Sequence, residues 1–249
     1  MCGRFVAYAE REQLAQQFHA TRQVGEPVPA NFNTAPTQTI DAILERADNG
    51  AAARQIRGVR WGLVPSWSRG IRGAPLANAR VETAASRPSF RSAWRMRRCI
   101  LPAAGYIEWE TVAAQGRIVK QPWYIHPADD TTLAFAGLYE LWPDPAKPVD
   151  DPARWLWSAT ILTAEATGPA GEIHDRTPLI LPPERIDRWL APNITDPDAV
   201  TDLVTGIALT PLLIRPVSTT VNNARNRGGP ELIAPLPDET EKPLPLLMA

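Results

Sequence analysis

The segment LAFAGLYEL, residues 133–141, decides the fold class of this chain. Its large side chains recur at every second position, with one glycine in the same register: Leu133, Phe135, Gly137, Tyr139 and Leu141. A period of two places these residues on one face of an extended chain. We therefore expect a β-strand here and a sheet around it.

Similar short runs, rich in branched and aromatic residues and bounded by Pro, Gly or Asp, lie on both sides of this segment. They are VRWGLV (59–64), RRCILPAAGYIEWE (97–110), PWYIHP (122–127), WLWSATILTA (155–164), TPLILP (177–182) and LLIRPVS (212–218). Such runs are typical of strands. Residues 111–120 predict a hairpin that turns near Gln115 and Gly116.

Four segments are predicted to be helices. AEREQLAQQFHA (9–20) spaces Leu14 and Phe18 four residues apart, as one helix face requires. Three short helices are expected where Pro or Asp stands near the first turn, within residues 89–97, 182–190 and 196–204. The expected fold is α+β: a single domain with a curled, barrel-like, largely antiparallel mixed β-sheet flanked by short helices.

The chain of 249 residues, 44% of them hydrophobic and 21% charged, is long enough to bury a full core in one domain. We assign residues 2–230 to this domain. Residues 231–249 are rich in proline and lack periodicity, so a mobile tail is expected there.

The first dozen residues carry charges and no apolar block, and no later run is long enough to cross a bilayer. A cytoplasmic protein without membrane contact is therefore expected. The two cysteines, Cys2 and Cys99, and the three histidines lack the spacing of a zinc site, so we expect neither a metal nor another cofactor. Cys99 lies in an apolar run and is assigned to the core.

The net charge of −1 argues against a nucleic-acid-binding protein, but the charges are unevenly distributed. Residues 52–98 contain eleven arginines against one acid, Glu82, and four aromatic residues lie among them: Trp61, Trp67, Phe90 and Trp94. Positive charge and aromatic rings together suit the phosphates and bases of single-stranded nucleic acid. A solvated charged face is the alternative interpretation.

Cys2 directly follows the initiator Met1, and removal of Met1 would leave a 1,2-aminothiol at the start of the chain. The amine of such a group attacks an aldehyde to form an imine, and the thiolate then closes a five-membered thiazolidine ring. A lysine could form only the imine. The alternative is that a cysteine at this position is incidental.

Polar side chains also mark the segment LANARVETAASRPSF (76–90). Alternation would place Asn78, Arg80 and Glu82 on one face of an extended strand. Asn can orient a nucleophile, and Arg can hold a phosphate through two hydrogen bonds. In the alternative interpretation the segment is a turn and Glu82 is the structural partner of an arginine.

Two further residues could transfer protons. Glu108 stands among bulky apolar residues, where desolvation would raise its pKa toward neutrality, although it could equally face solvent. His174 lies in a loop-like segment and has the side chain best suited to acid–base chemistry at neutral pH. Beside it, Arg176 is either a phosphate contact or a partner of Asp175.

Seven segments in their order along the chain carry a family resemblance: MCGRF (1–5), NFNTAP (31–36), WGLVPSW (61–67), NARVETAASRPSFR (78–91), RRCILPAAGYIEW (97–109), HDRTPLIL (174–181) and VSTTVNN (217–223). Together they resemble the SRAP family, which is named for SOS response-associated peptidases. The resemblance implies a DNA-damage response protein whose N-terminal cysteine forms a thiazolidine crosslink with the ring-opened aldehyde of an abasic site in single-stranded DNA.

Carried over to this sequence, the resemblance implies four catalytic residues. Cys2 would be the nucleophile, and Asn78 would position it and the opened sugar. Glu108 would be the acid and base, and His174 would assist opening of the sugar ring and reversal of the linkage. Autocatalytic removal of Met1 is also implied, together with a possible lyase activity at abasic sites.

The resemblance also implies four residues that contact DNA: Arg4, Trp67, Arg80 and Arg176. The expected partner is single-stranded DNA with abasic sites, bound by a monomer that would be cytoplasmic and associated with the nucleoid when on DNA. Two positions depart from the family pattern, Ile107 in place of an aromatic residue and Thr177 in place of Met. They would affect the packing of the pocket rather than the chemistry.

Three other functions stay open on the residues alone. The chain could be a cysteine peptidase acting on other proteins, with Cys2 as nucleophile and His174 as base. It could be a non-covalent single-strand-binding module in which Cys2 is incidental. It could also be a lyase that cleaves at abasic sites through an imine, without ring closure.

Overall fold

The computed structural model describes residues 2–48, 51–114, 116–129, 131–166, 168–208, 210–237 and 242–244. The strands in this part of the chain are β1 (Arg4–Ala7), β2 (Arg22–Val24), β3 (Asn31–Thr34), β4 (Thr39–Asp48), β5 (Ala51–Trp61), β6 (Asn78–Arg80), β7 (Arg98–Ala103), β8 (Gly105–Ala114), β9 (Arg117–Pro127), β10 (Leu133–Pro143), β11 (Trp155–Glu165), β12 (Arg176–Pro178), β13 (Leu212–Pro216) and β14 (Lys242–Leu244). The α-helices are α1 (Arg11–Phe18), α2 (Val81–Ala84), α3 (Arg91–Met96), α4 (Gly168–Ile173), α5 (Pro183–Leu190) and α6 (Pro197–Val204). Short 3₁₀ helices lie at Pro152–Arg154, Thr219–Asn222 and Pro230–Leu232.

A closed barrel forms the centre of the fold. In the eight-stranded sheet, β11, β10, β7, β4 and β5 are neighbours in that order, and each pair is antiparallel. Strand β5 also pairs with β11 in parallel, through Arg60 with Ser158 and Trp61 with Ala159. This last pairing closes the five strands into a ring and removes their exposed edges. The predicted α+β fold with a barrel-like sheet is confirmed.

The predicted strand at residues 133–141 is β10, and both of its faces are buried. Phe135 and Tyr139 point into the barrel, where they pack with Trp61, Cys99 and other residues of the interior. The alternate residues Ala134, Ala136 and Leu138 face outward and pack in the cluster that includes the helices. A barrel covered by helices has no solvent face along such a strand.

Helices α1, α3, α5 and α6 cover the outside of the barrel, and they confirm the four predicted helices. Their buried residues include Phe18, Trp94, Trp189 and Leu203. Asp196 caps α6 because its side chain accepts hydrogen bonds from the backbone N–H groups of residues 198 and 199.

A second, six-stranded sheet has the order β14-β13-β9-β8-β1-β3 and is antiparallel throughout. It contains the predicted hairpin, since β8 and β9 are joined at Gly116, whose φ is 73°. Gln115 lies outside the described residues. Strand β1 lies between β8 and β3, which ties the start of the chain into the sheet.

The predicted run 97–110 divides into two strands at Ala104, and each strand belongs to a different sheet. Strand β4 was not predicted, because its sequence TIDAILERAD mixes charged residues with an apolar helix-forming run. Hydrogen bonding to β5 and β7 holds this segment as a strand, with one face buried in the barrel.

Part of the predicted tail packs against the domain. Leu232 and Ile233 are buried, and Ile233 lies in an apolar cluster with Val217 and Val221. Arg215 Nε donates to the carbonyl oxygen of Ile233 at 2.9 Å. Residues 238–241 and 245–249 lie outside the described part, so a domain boundary at residue 230 and a mobile tail stay predictions. Among the helices that the structure describes, none is long and apolar enough to span a membrane.

Candidate active site

Cys2 lies where the two sheets meet, and its side chain is fully buried among residues of the barrel interior. Strand β1 is antiparallel to β8, with Arg4 opposite Ile107. Cys2, which precedes Arg4, therefore lies near the residues of β8 that follow Ile107, among them Glu108. The thiol donates to the carbonyl oxygen of Arg4 across 3.7 Å.

Asn78 holds the backbone of Cys2. Its Nδ2 donates to the carbonyl oxygen of Cys2 at 2.9 Å. The pairing of β6 with β11, in which Asn78 stands opposite Ile161, fixes this side chain at the edge of the barrel. Its Oδ1 is buried without a hydrogen-bond partner among the described residues, so an acceptor points into the site.

Glu108 is buried, and burial raises its pKa to about 7, with a smaller contribution from the charge of Asp175 and an opposing one from the positive chain terminus. Burial also raises the pKa of the Cys2 thiol well above its ordinary value, and the Glu108 charge adds to this effect. At neutral pH the thiol is therefore protonated, whereas Glu108 is divided between its two forms and can accept a proton.

A hydrogen bond joins the two sheets beside Cys2. Tyr106 OH and Thr177 Oγ1 are 3.0 Å apart, which connects β8 to β12. Burial raises the pKa of Tyr106, so the phenol stays neutral. Sequence analysis did not identify Tyr106, although Thr177 was noted as unusual. The other unusual residue, Ile107, is buried in an apolar cluster with Val6 and Tyr124.

His174 lies between α4 and β12, and about a third of its side chain is exposed. Burial lowers its pKa, as does the positive chain terminus, whereas Asp175 raises it. Nδ1 is 3.0 Å from the backbone N of Arg176 and 2.8 Å from Asp175 Oδ1. The neutral ring accepts from Arg176 N–H at Nδ1, and the protonated ring donates from Nδ1 to Asp175.

Arg176 is only 8% exposed and forms a bidentate ion pair with Glu82, with distances of 2.8 and 2.9 Å. It also donates to the carbonyl oxygen of Thr163. Sequence analysis left Arg176 either as a phosphate contact or as a partner of Asp175. In the structure its carboxylate partner is Glu82. Glu82 belongs to α2 because the strand ends at Arg80, so the prediction of one strand face for residues 78–82 was wrong at Glu82.

Arg4 lies in a socket built by two of the sequence motifs. Its Nη1 donates to Asn33 Oδ1 at 2.6 Å and to the carbonyl oxygen of Val221 at 2.9 Å. The guanidinium also lies 5.6 Å from the ring centroid of Trp109. Asn33 donates in turn to three backbone carbonyls of residues 221–226, so NFNTAP and VSTTVNN fold onto each other.

The arginine-rich block divides between the core and the surface. Of its four aromatic residues only Trp67 is exposed, at 66%, since Trp61, Phe90 and Trp94 are buried. The exposed arginines are Arg69, Arg72, Arg80, Arg87, Arg91 and Arg95. Of the four predicted DNA contacts, Trp67 and Arg80 are exposed, Arg4 is half-buried and Arg176 is buried, and the last two bind protein groups.

The structure therefore brings Cys2, Asn78 and Glu108 together, with His174 beside them on the segment that carries Asp175. Trp67 lies on the β5–β6 loop, where the carbonyl oxygen of Ser68 accepts a hydrogen bond from Trp142. The described residues contain no group of His, Cys, Asp and Glu side chains that could hold a metal ion. An acid of neutral pKa next to a buried nucleophile can perform covalent chemistry with proton transfer.

Comparison with known families gives one match over most of the chain. Residues 1–224 match the model of the family described as SOS response associated peptidase (SRAP).

Relatives named as abasic site processing proteins are similar over nearly the whole chain. The protein YoqW of Bacillus subtilis is 35% identical over 236 residues, which cover 94% of this chain and 99% of YoqW. The protein YedK of Escherichia coli is 31% identical over 241 residues, 95% of this chain and 100% of YedK. A solved structure from Bacteroides thetaiotaomicron shares the fold, with a TM-score of 0.76 and 21% identity over 94% of this chain and 100% of that one.

Proposed function

Since this chain belongs to the SRAP family, we propose that it processes abasic sites in DNA, and that it does so by covalent capture through Cys2. The observation that carries the proposal is the grouping of Cys2, Asn78 and Glu108, in which an amide holds the backbone of the nucleophile and a carboxyl of pKa about 7 lies beside its thiol. The preferred substrate is an abasic site in single-stranded DNA.

The capture step forms two bonds to one carbon. The α-amine of mature Cys2 attacks the C1′ aldehyde of the opened sugar, and the carbonyl oxygen leaves as water to give an imine. The Cys2 sulfur then adds to the imine carbon while its proton is transferred away, which closes the thiazolidine. The net reaction joins amine, thiol and aldehyde with loss of one water, and it requires neither oxidant nor reductant.

Glu108 is the proton carrier in this scheme. The buried thiol is protonated at neutral pH, so its sulfur needs a base when it adds to the imine. The ionised fraction of Glu108 accepts that proton, and the protonated fraction can donate to the departing oxygen. A pKa near the working pH suits both tasks.

Asn78 and His174 act on the sugar. The unpaired Oδ1 of Asn78 can accept from a sugar hydroxyl or from the amine, while Nδ2 keeps Cys2 in place. His174, neutral because burial lowers its pKa, can take a proton when the sugar ring opens. The same group would return the proton when the linkage reverses.

Binding of the strand uses the exposed positive surface. Arg80 and Trp67 are accessible to a phosphate and to a base, respectively. Arg4 and Arg176 support the site through their hydrogen bonds to Asn33 and Glu82. If they also contact DNA, they do so through their other N–H groups while these hydrogen bonds are kept. Extrusion of the damaged sugar costs less from a single strand than from a duplex, which supports single-strand preference.

Removal of Met1 must precede capture, because its peptide bond to Cys2 occupies the α-amine. Glu108 and Asn78 lie beside Cys2 and would serve in an autocatalytic cleavage. A residual lyase activity would follow if the imine formed and the ring did not close.

The test is the intact mass of the purified protein with and without an abasic single-stranded oligonucleotide. We expect loss of Met1, and an adduct equal to protein plus oligonucleotide less one water that survives boiling in detergent. Cys2→Ser and Cys2→Ala both keep the α-amine and lose the thiol, so both should abolish the stable adduct and shift the outcome toward strand cleavage.

Cys99→Ala is the matched control, since it removes the other buried thiol and should leave capture intact. Retention of Met1 in active protein, or an adduct unaffected by Cys2→Ala, would contradict the mechanism. Adduct formation that is blocked by thiol reagents but occurs equally with the α-amine blocked would favour the peptidase alternative.

A further inference from the structure

One end of the barrel carries a cluster of positive charge and aromatic rings that the proposed function does not use. We call it the distal mouth and define it by Arg46, Arg57, Tyr139, Trp155 and Trp157. Strand β11 passes the candidate active site at Ile161, opposite Asn78, and its first residues, Trp155 and Trp157, belong to the distal mouth. Along the strand the two places are therefore roughly 13–20 Å apart.

Trp157 is the centre of the cluster. The guanidinium carbon of Arg57 lies 3.3 Å from its ring centroid and that of Arg46 lies 5.1 Å away. Tyr139 stacks on the same indole with a centroid distance of 5.7 Å and an interplanar angle of 15°. These contacts orient both guanidinium groups around one ring.

The two arginines lack an acidic partner. Neither forms an ion pair with a carboxylate of the described residues, and Nε of Arg57 is buried without a hydrogen-bond partner there. The pKa of Arg57 is lowered to about 10, mainly by burial and secondarily by the charge of Arg46. Asp151, on the adjoining loop, accepts instead from the backbone N–H of Ala153 at 2.7 Å.

Other arginines of the arginine-rich block have acceptors. Arg54 pairs with Glu45 and Asp187, and Arg97 pairs with Glu140, each at 2.8 or 2.9 Å. The buried Arg98 donates to four backbone carbonyl oxygens. Arg57 is half-buried and Arg46 is exposed, and neither has such an acceptor among the described residues, so an anion bound between these two like charges would be stabilised. The distal mouth therefore has the charge of an anion site.

A cavity opens at this cluster. It is lined by Arg46, Leu141, Pro152, Trp155 and Trp157, and its volume is about 440 Å³. The Trp155 side chain is 48% exposed and forms one wall. A volume of this order accommodates a small ligand. An exposed indole beside guanidinium groups suits a ligand that has both a planar ring and a phosphate.

We propose that the distal mouth binds a nucleotide, with Arg46 and Arg57 on the phosphate and Trp155 against the base. The bound unit is either a free nucleotide or one residue of a single-stranded nucleic acid, since both present the same chemistry. The site is independent of Cys2 and does not rest on the capture reaction.

The test is calorimetric titration of the purified protein with 5′-deoxyadenosine monophosphate. We expect saturable binding that Arg46→Gln weakens by roughly tenfold or more, since a charge-assisted hydrogen bond is lost. Trp155→Ala should weaken it severalfold, and Trp155→Phe should restore most of the loss. Deoxyadenosine, which lacks the phosphate, should bind at least tenfold more weakly than the nucleotide.

Arg188→Gln is the matched control, because it removes an exposed arginine from α5 and should leave the titration unchanged. A parallel titration with an undamaged ten-residue oligothymidylate distinguishes a nucleic-acid strand from a free nucleotide. If Arg46→Gln weakens the affinity for both probes equally, the bound unit belongs to a strand. If it weakens the affinity for the mononucleotide alone, the ligand is a free nucleotide. Absence of saturable binding to either probe, or equal affinities of wild type and Arg46→Gln for both, would overturn the proposal.

The proposed function and the distal mouth can fail separately. Cys2→Ala should retain nucleotide binding, and Arg46→Gln should still capture a short abasic oligonucleotide. Loss of mononucleotide binding in Cys2→Ala would place the ligand at the active site and overturn the distal site. Failure of capture by wild type, with nucleotide binding retained, would overturn only the proposed function.

Discussion

Cys2 and Glu108 are two acids buried next to each other, and the Glu108 charge opposes ionisation of the Cys2 thiol. Burial penalises both charged forms, so the pair holds at least one proton at neutral pH. The carboxyl is the group that releases a proton more readily, since its pKa is about 7. In the proposed capture, this order would give the carboxyl the role of base and would leave the sulfur neutral until the imine is present.

Replacement of Glu108 by Gln should slow capture on the order of a hundredfold, the usual contribution of a positioned acid–base group. When addition of the sulfur limits the rate, the wild-type rate should rise with pH and level off above about 7, because the ionised carboxyl is the base in that step. The measurement is the rate of adduct formation between pH 5 and 9. An inflection of the same size in Glu108→Gln would assign the titration to another group.

Glu108 should also make stability depend on pH. Its folded-state pKa lies above its unfolded-state value, so the folded protein binds more protons and loses stability as pH rises from about 4.5 through about 7. The loss should approach roughly 3 kcal/mol. Urea unfolding of wild type and Glu108→Gln should show similar stability at pH 4.5 and a more stable variant at pH 8. Equal stabilities at pH 8 would contradict the buried, ionisable state of Glu108.

Among the elements, strand β1 is only four residues long and near the chain start, yet it must hold Cys2 in place. Terminal segments fray unless other elements hold them, and β1 is paired on both sides, with β8 and β3. Val6 stands opposite Gly105, the residue at which the chain passes from the barrel sheet to the other sheet. The crossing is tight, and only a residue without a Cβ fits there.

Gly105→Ala should therefore destabilise the protein by about 1–3 kcal/mol, the usual cost of overpacking. A Cβ at this position would lie 2.5 Å from the carbonyl oxygen of Ile125 and 2.6 Å from the Tyr124 ring. Gly116→Ala is the control, because its Cβ meets nothing within 4 Å and only its positive φ causes strain. Urea unfolding of the two variants provides the measurement. A smaller loss of unfolding free energy in Gly105→Ala than in Gly116→Ala would contradict the tight crossing.

At the scale of the whole molecule, the site depends on the junction between the barrel and the second sheet. Phe5 of β1 contacts Trp61 at a centroid distance of 4.9 Å and Phe135 at 6.2 Å, and Tyr106 of β8 contacts Phe135 at 6.0 Å. These edge-to-face contacts join strands of both sheets inside the barrel. Cys2 is positioned by this packing as well as by Asn78.

Phe5→Ala should cost about 3–5 kcal/mol of unfolding free energy, because it opens a cavity at the junction. Capture by the folded variant should also slow, since β1 is then less well held. Phe5→Leu fills most of the volume and should retain most of both properties. Urea unfolding and the adduct rate at low temperature provide the measurements, and an undiminished capture rate in folded Phe5→Ala would show that this junction does not position Cys2.

The sequence predicted the elements with strong local signals. Alternation at residues 133–141 gave β10, and the spacing of Leu14 and Phe18 gave α1. Strand β4 was missed because the pattern in TIDAILERAD also suits a helix, and its strand state depends on register with β5 and β7. The same limit applies to Glu82, whose position in α2 follows from the end of β6.

The identities of Cys2, Asn78, Glu108 and His174 were available from the sequence, because their residue types and motifs specify chemistry. Their proximity was not, since they come from β1, β6, β8 and a loop beside β12, which only the two-sheet arrangement brings together. Tyr106, the Glu82–Arg176 pair and the distal mouth depend entirely on that arrangement. Side-chain chemistry is local and can be deduced from the chain itself, whereas burial, pKa and contact between distant residues arise only when the barrel closes and the second sheet packs on it.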